Sequence, residues 1–274
     1  MAFAGVGLCL GALVFAASAW VYALGPVPLG AHLDYSHTVL DRDGRLLRAY
    51  ATKEGRWRLP ATVDDVDPRF IKLLLGYEDQ RFYEHDGVDP LALGRAAFQL
   101  IVNGHIVSGG STLTMQVARL LEPRRHRTFE AKLRQITRAL EIERKLSKNQ
   151  ILSLYLTLAP YGGNLEGIRA ASLAYFAKEP KRLSLAEAAL LVALPQSPEW
   201  RRPDRHPKAA RAARDRVLDR VASEGVVPLD EIARAKDAGV PHARKELPAL
   251  APLAADDIIG LEPDQVIHRL TIDA

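Results

Sequence analysis

Residues 76–90 read GYEDQRFYEHDGVDP and place two adjacent carboxylates, Glu78 and Asp79, in a polar and aromatic stretch. The stretch holds too many turn-forming residues for a core helix, so we expect a loop there. A neighbouring like charge or partial burial raises the pKa of a carboxyl group, which suits a general base at neutral pH. The residue types alone leave open that both are ordinary carboxylates of a loop or a helix end.

A second polar group follows further along the chain. Thr112 and Gln116 lie one helical turn apart and Arg119 follows three residues later, so a helix would carry them as one polar stripe. Ser111 or Thr112 can cap that helix, and backbone amides at a helix start can also hold a phosphate. A plain helix cap is the alternative interpretation of these two hydroxyls.

The elements that must position these residues are mainly helices. From Asp67 onward the pattern is helical, and strands are expected only in a hairpin over residues 38–47 with Asp43-Gly44 as its turn. Capping signals at Ser147 and Ser184 open two further helices. In the helix expected over about residues 128–146, the spacing predicts an apolar face and a polar flank, formed respectively by Phe129, Leu133, Ile136 and Leu140 and by Lys132, Gln135 and Arg138.

The N-terminal segment Ala2–Leu24 has no charged side chain, and 23 residues in a helix would span roughly 34 Å. A cleaved signal peptide is the alternative, because Ala17-Ser18-Ala19 resembles a cleavage site, but the run is long and lacks a basic start. We therefore predict a transmembrane anchor over residues 1–24 and a Pro/Gly linker over residues 25–33. The single cysteine, Cys9, excludes an intrachain disulfide.

The net charge is +4, and the basic residues are concentrated in two stretches. Residues 119–148 carry ten Lys/Arg against four Asp/Glu, and residues 201–220 carry eight against three. Such runs are most often solvated helix faces, and they also suit anionic headgroups or a diphosphate. No nucleic-acid-binding motif is recognisable, so nucleic acid is not an expected partner.

Three separated blocks carry a family resemblance: EDQRFYEHDGVD at residues 78–89, GGSTLTMQVAR at residues 109–119, and LSKNQILSLYL from residue 146 followed by LSLAEAALLVALPQSP. Together they resemble the glycosyltransferase family 51 module of class A penicillin-binding proteins, most of all those of type 1C. The resemblance implies a mainly α, lysozyme-like peptidoglycan glycosyltransferase domain with a short N-terminal β-hairpin, expected over residues 34–240, and one N-terminal transmembrane helix before it. Residues 241–274 are then expected to be a linker and the truncated start of a transpeptidase domain.

The resemblance also implies a function and a location. The expected activity is polymerisation of lipid II into β-1,4-linked glycan strands with release of undecaprenyl diphosphate, on the periplasmic side of the bacterial inner membrane. Expected partners are lipid II, the growing glycan strand and other cell-wall synthesis proteins. No cofactor or metal site is expected with certainty, and a requirement for Mg²⁺ stays open.

Matching positions imply the roles of individual residues. Glu78 matches the catalytic base and Lys132 the lysine that binds the diphosphate. Substrate-binding roles are expected for Asp79, His85, Ser111, Thr112, Gln116, Arg119, Lys132 and Gln135, although Asp79 and His85 could instead brace the loop. This chain departs from the usual family pattern at Gln80, Ala131, Gln135 and Thr157. Gln135 replaces a glutamate, and its amide cannot act as an acid or base.

Two other functions compete with the polymerase. One is a membrane-anchored module that binds lipid II or acts as a scaffold with weak turnover, which Gln135 suggests. The other is a lysozyme-like enzyme that cleaves glycan, for which Glu78 alone could serve. The apolar N-terminus and the GGSTLTMQ block favour a lipid-linked donor and therefore the polymerase.

Overall fold

A computed structural model describes residues 2–31, 33–104, 110–123, 128–223, 225 and 227–273. The fold is mainly helical, as predicted. The helices are α1 Ala2–Ala23, α2 Pro68–Glu78, α3 Pro90–Asn103, α4 Leu113–Leu121, α5 Phe129–Glu143, α6 Lys148–Leu158, α7 Ile168–Phe176, α8 Leu185–Ala193, α9 Pro207–Ser223, α10 Leu229–Asp237 and α11 Pro252–Leu261. The strands are β1 Thr38–Leu40, β2 Leu46–Ala49, β3 Trp57–Arg58, β4 Leu165–Glu166 and β5 Ile267–Arg269.

Helix α8 lies at the centre of the core. Its residues are buried apart from Glu187, and α2, α7, α9 and α10 pack around it. Four alanines in its nine residues let the neighbouring helices approach closely. A helix that is apolar on all sides has to be surrounded in this way, and α8 therefore holds the end of α2 at a fixed place in the domain.

The predicted helix starts are confirmed. Ser147 and Ser184 form capping boxes with Gln150 and Glu187 at the starts of α6 and α8. Of the two hydroxyls proposed for α4, Thr112 is the cap, and its Oγ1 accepts a hydrogen bond from the Met115 amide at 3.1 Å. Each cap satisfies an amide that has no partner within its helix.

The expectation that strands are confined to the hairpin was wrong. β1 and β2 form that hairpin, but β3 pairs with β4 in parallel, and β5 adds to β1 in parallel. Residues 241–273, which belong to the segment expected to be a linker and the truncated start of a transpeptidase domain, contain α11 and β5. The backbone of this segment bonds to the hairpin, with Thr38 N 2.9 Å from Val266 O and Leu270 N 2.8 Å from Leu40 O.

The predicted apolar face of α5 is also not its buried face. Phe129 and Leu133 are 84% and 42% exposed, whereas Arg138, Ala139 and Ile142 are buried. A buried guanidinium needs partners for its donors. Arg138 has them in Glu122 at 3.1 Å and Glu141 at 2.7 Å, so the helix can turn this charged residue inward.

Arg138 also contacts the chain just after α1. Its guanidinium donates to the main-chain oxygens of Leu24 at 2.7 Å and Gly25 at 3.0 Å, which attaches the end of α1 to α5.

Among the described residues, no helix has the combination of length and hydropathy that a membrane span requires.

Candidate active site

An open groove of about 1390 Å³ is lined by the end of α2, the start of α4 and the first half of α5. Eight of the residues singled out in the sequence line it: Glu78, Asp79, Ser111, Thr112, Gln116, Arg119, Lys132 and Gln135. His85 does not line the groove. The turn after α8 contributes Pro195 and Gln196 to the wall. Residues from separate parts of the sequence are thus brought to one surface.

Glu78 is the last residue of α2, so the helix end carries its carboxylate to the groove. Its Oε2 accepts a hydrogen bond from Gln116 Nε2 at 2.9 Å, and its Oε1 accepts one from Gln196 Nε2 at 2.7 Å. A carboxylate has about four lone-pair sites, so both oxygens keep capacity for another donor. The group is therefore held by two neutral amides and can still accept a proton from a hydroxyl in the groove.

Asp79 and His85 form a buried pair behind Glu78. His85 Nε2 lies 3.0 and 3.1 Å from the two Asp79 oxygens, and His85 Nδ1 accepts a hydrogen bond from the Gly87 amide at 3.1 Å. With Nδ1 facing the Gly87 amide, Nε2 is the ring nitrogen that faces Asp79. Asp79 also accepts from the Leu113 amide at 2.9 Å. This geometry supports the bracing role that the sequence left open for both residues.

Gly87 fixes the loop that follows Glu78. Its φ is +91°, and an added Cβ would lie 2.6 Å from the main-chain oxygen of Ala139, so only glycine fits without movement. Thr112 Oγ1 donates to Gly87 O at 2.6 Å while it caps α4. The Thr112 hydroxyl thus gives its one proton to the loop and one lone pair to the helix start, so it links the two.

Lys132 and Arg119 supply the positive charge of the groove. Lys132 Nζ donates to Ser111 Oγ at 2.7 Å and to Gln135 Oε1 at 3.2 Å, both neutral acceptors. Within the described chain, neither cation forms an ion pair with an acid, and Arg119 is exposed. Burial, with a smaller contribution from Arg119, lowers the pKa of Lys132. Two cations that are close enough to repel each other thus face the groove, and neither is paired with an acid in the described chain.

Several other arginines along the groove are paired with acids. Arg81 pairs with Asp89, Arg134 and Arg138 share Glu122, and Arg56 and Arg58 share Glu166. The burial of Arg138 and Glu166 makes unpaired charge costly at those sites. Lys132 and Arg119 differ from these residues because their charge is available to a ligand.

The two ends of the Gln135 amide have different partners, Lys132 and the backbone of α4. Its Nε2 donates to Met115 O at 2.6 Å, and its Oε1 accepts from Lys132. The donor set around it fits Mg²⁺ poorly, because the amide oxygen faces a cation and hard divalent ions prefer carboxylates and water. Among the described residues there is no cluster of three His, Cys, Asp or Glu side chains arranged for a metal.

Gln196 is the groove residue that sequence reasoning missed. The PQSP run was recognised as part of the third block, but no role was assigned to its glutamine. The contact with Glu78 joins residues 118 positions apart, so local spacing could not reveal it. The signal in the sequence was a polar residue directly after the apolar core helix α8, where the chain emerges at the surface.

Comparisons with known proteins show what this chain is similar to. A family model described as Transglycosylase matches residues 43–222. Penicillin-binding protein 1C of Escherichia coli (strain K12) is 45% identical over 262 residues, which cover 96% of this chain and 34% of that protein. Penicillin-binding protein 1A of Aquifex aeolicus is 39% identical over 197 residues, or 72% of this chain and 27% of that protein.

A crystal structure of penicillin-binding protein 1A from Haemophilus influenzae aligns over 86% of this chain and 25% of that one. The TM-score is 0.43 and the identity 18%. The present chain spans about a third of the relative from E. coli and about a quarter of the others.

Proposed function

This chain belongs to the transglycosylase family of the class A penicillin-binding proteins, and from that premise we propose that it polymerises lipid II into β-1,4-linked glycan strands. The domain over residues 34–240 would carry the activity. Residues 241–274 would lead toward a transpeptidase domain.

In the proposed reaction, Glu78 takes the proton from the attacking sugar hydroxyl. The hydroxyl oxygen forms a bond to the anomeric carbon of the donor, and the bond from that carbon to the diphosphate oxygen breaks. Undecaprenyl diphosphate leaves with the bonding electrons, and a single displacement inverts the anomeric centre. Lys132 and Arg119 stabilise the negative charge that grows on the leaving group.

One observation supports this function above all others. The groove is lined by a carboxylate that two amides hold. The same groove is lined by two cations that have no acid partner among the described residues. Proton removal and diphosphate departure need these two kinds of group at opposite ends of one reaction. A glycan-cleaving enzyme would have no use for the cations, because its leaving group is a neutral sugar hydroxyl.

Attachment to the bacterial inner membrane, as a single pass with the domain on the periplasmic side, is the finer part of the proposal. It is supported by the 23 uncharged residues of Ala2–Leu24 and by the lipid-linked substrate of the family. No step of the proposed reaction depends on Mg²⁺. The growing strand and other cell-wall synthesis proteins complete the proposed partners.

The test is an assay of the chain in detergent with labelled lipid II. Long glycan as product supports the polymerase. Binding of lipid II without product would favour the scaffold module, and cleavage of preformed glycan in place of synthesis would favour a lysozyme-like enzyme. Either of the last two results contradicts the proposal.

A further inference from the structure

The turn that ends α8 brings an amide against the proposed base. Leu194–Gln196 form a 3₁₀ turn after the buried helix, and Gln196 emerges from it beside α2. Its Nε2 lies 2.7 Å from Glu78 Oε1, shorter than the 2.9 Å contact that Gln116 makes with the other oxygen. The backbone under Gln196 is fixed, because Leu194 is fully buried in the core.

Arg201 determines which way this amide points. Its Nη1 donates to Gln196 Oε1 at 3.0 Å and to Ala193 O at 2.7 Å, which anchors the guanidinium to the last residue of α8. A guanidinium has donors and no acceptor, so the amide oxygen must face it. The amide nitrogen must then face Glu78. A carboxylate on one side and a cation on the other thus leave the amide one orientation.

We propose that Gln196 is a positioning residue for Glu78, oriented by Arg201. The inference rests on the proposed role of Glu78 as the base. Gln196 holds Oε1 as Gln116 holds Oε2, so the carboxylate cannot rotate away from the acceptor hydroxyl. Both amides donate to the carboxylate, and its remaining lone pairs stay available to the acceptor hydroxyl. Arg201 acts on Glu78 only through the amide that it orients.

The first test measures kcat and KM for lipid II across a range of pH in the Gln196→Met variant. Methionine has a similar size and no amide. We expect kcat to fall about tenfold, as for loss of one hydrogen bond to a charged group, with little change in KM. The acid limb of the kcat profile should move to higher pH, because the lost hydrogen bond favoured the ionised carboxylate. Gln265→Met, which removes an amide bonded to Ile267 O outside the groove, is the matched control and should behave as wild type.

Two further variants separate positioning from a merely structural role. Gln196→Glu keeps the size and an acceptor for Arg201 but places a second carboxylate beside Glu78, so its acid limb should move further than that of Gln196→Met. Arg201→Met should move the limb in the same direction by less. A ¹³C NMR titration of the Glu78 carboxyl, assigned by its loss in Glu78→Gln, should report the same order without any assay of activity.

These variants distinguish a failure of the positioning role of Gln196 from a failure of the proposed function. If Glu78→Gln is inactive while folded Gln196→Met and Gln196→Glu keep the wild-type acid limb, the positioning role is wrong and the base assignment stands. If Glu78→Gln polymerises normally, the proposed function itself fails. Should Gln196→Met not fold, by its thermal unfolding midpoint, Gln196→Glu and the NMR titration decide.

Discussion

Two parts of the groove hold opposite charges by the same means. At one end the carboxylate of Glu78 is held by Gln116 and Gln196, both neutral and both donating. At the other end Lys132 is held by Ser111 and Gln135, both neutral and both accepting. In each case the charged group is oriented by amides or a hydroxyl and is not cancelled by an opposite charge.

Elsewhere along the groove, several charges are cancelled by ion pairs. Arg58 and Glu166, for example, form a partly buried pair, and Arg81 pairs with Asp89. An ion pair of this kind satisfies both partners and leaves little charge for a ligand. Glu78 and Lys132 therefore differ from the ion-paired residues of the groove, because their charged groups have neutral hydrogen-bond partners.

The largest effect is expected from removal of the proposed base. Glu78→Gln keeps the shape of the side chain but cannot accept a proton, so we expect glycan synthesis to fall by about 10²- to 10⁴-fold. The measurement is the initial rate with labelled lipid II. Glu84→Gln, an exposed glutamate six residues away along the same loop, is the control and should keep the wild-type rate. A folded Glu78→Gln variant with near-normal synthesis contradicts the assignment.

Removal of the cations tests the opposite end. Lys132→Ala should lower kcat/KM about 10- to 100-fold, since hydrogen bonds to charged groups contribute about 1.5–3 kcal/mol. Arg119→Ala should have a smaller effect, because its side chain is exposed and unrestrained. Lys208→Ala, an exposed lysine of α9 outside the groove, is the matched control. If both groove variants fold and keep the wild-type rate, their charges belong to a solvated surface.

Local signals in the sequence predicted much of this structure. The caps at Thr112, Ser147 and Ser184 were found because a cap joins residues three positions apart. The motif blocks located six of the eight groove residues, because the residues that line a site are clustered within a few short segments, and Lys132 and Gln135 came from the helix between two blocks. These parts depend on short-range order, which one sequence displays directly.

The remainder depends on contacts between distant residues. The inward turn of Arg138 follows from partners at Leu24, Gly25 and Glu122, and hydropathy alone predicted the opposite face of α5. The pairing of β5 with β1 joins strands more than 200 residues apart. The hydrogen bond from Gln196 to Glu78 is of the same kind. Such contacts are decided by how the helices pack, which no spacing pattern records.

The repulsion between Arg119 and Lys132 predicts a change in pH dependence. Burial first, and Arg119 second, lower the pKa of Lys132 from its ordinary value of 10.5. Donor use should therefore decline as the pH rises through this lowered pKa, because the lysine loses its charge. Arg119→Gln removes one of the two causes, so the alkaline limb of kcat/KM should move to higher pH. An alkaline limb that stays in place would show that the limb belongs to another group.

The smallest effect should come from converting the neutral support of Lys132 into a charged one. Gln135→Glu would lose the hydrogen bond to Met115 O and place a carboxylate 3.2 Å from the position of the lysine nitrogen. The new ion pair competes with the diphosphate for the same charge, and partly exposed pairs contribute about 0.2–1 kcal/mol. We expect KM for lipid II to rise about two- to fivefold with kcat nearly unchanged, because the base end is not altered. A titration with Mg²⁺ should not restore the wild-type KM, since the described residues hold no cluster of three His, Cys, Asp or Glu side chains arranged for a metal. Higher activity with Mg²⁺ would mean instead that the substituted site binds a metal through the substrate. An unchanged KM would show that Gln135 does not influence donor binding. The neutral hydrogen bond from Lys132 to Gln135 would then not be what distinguishes this part of the groove.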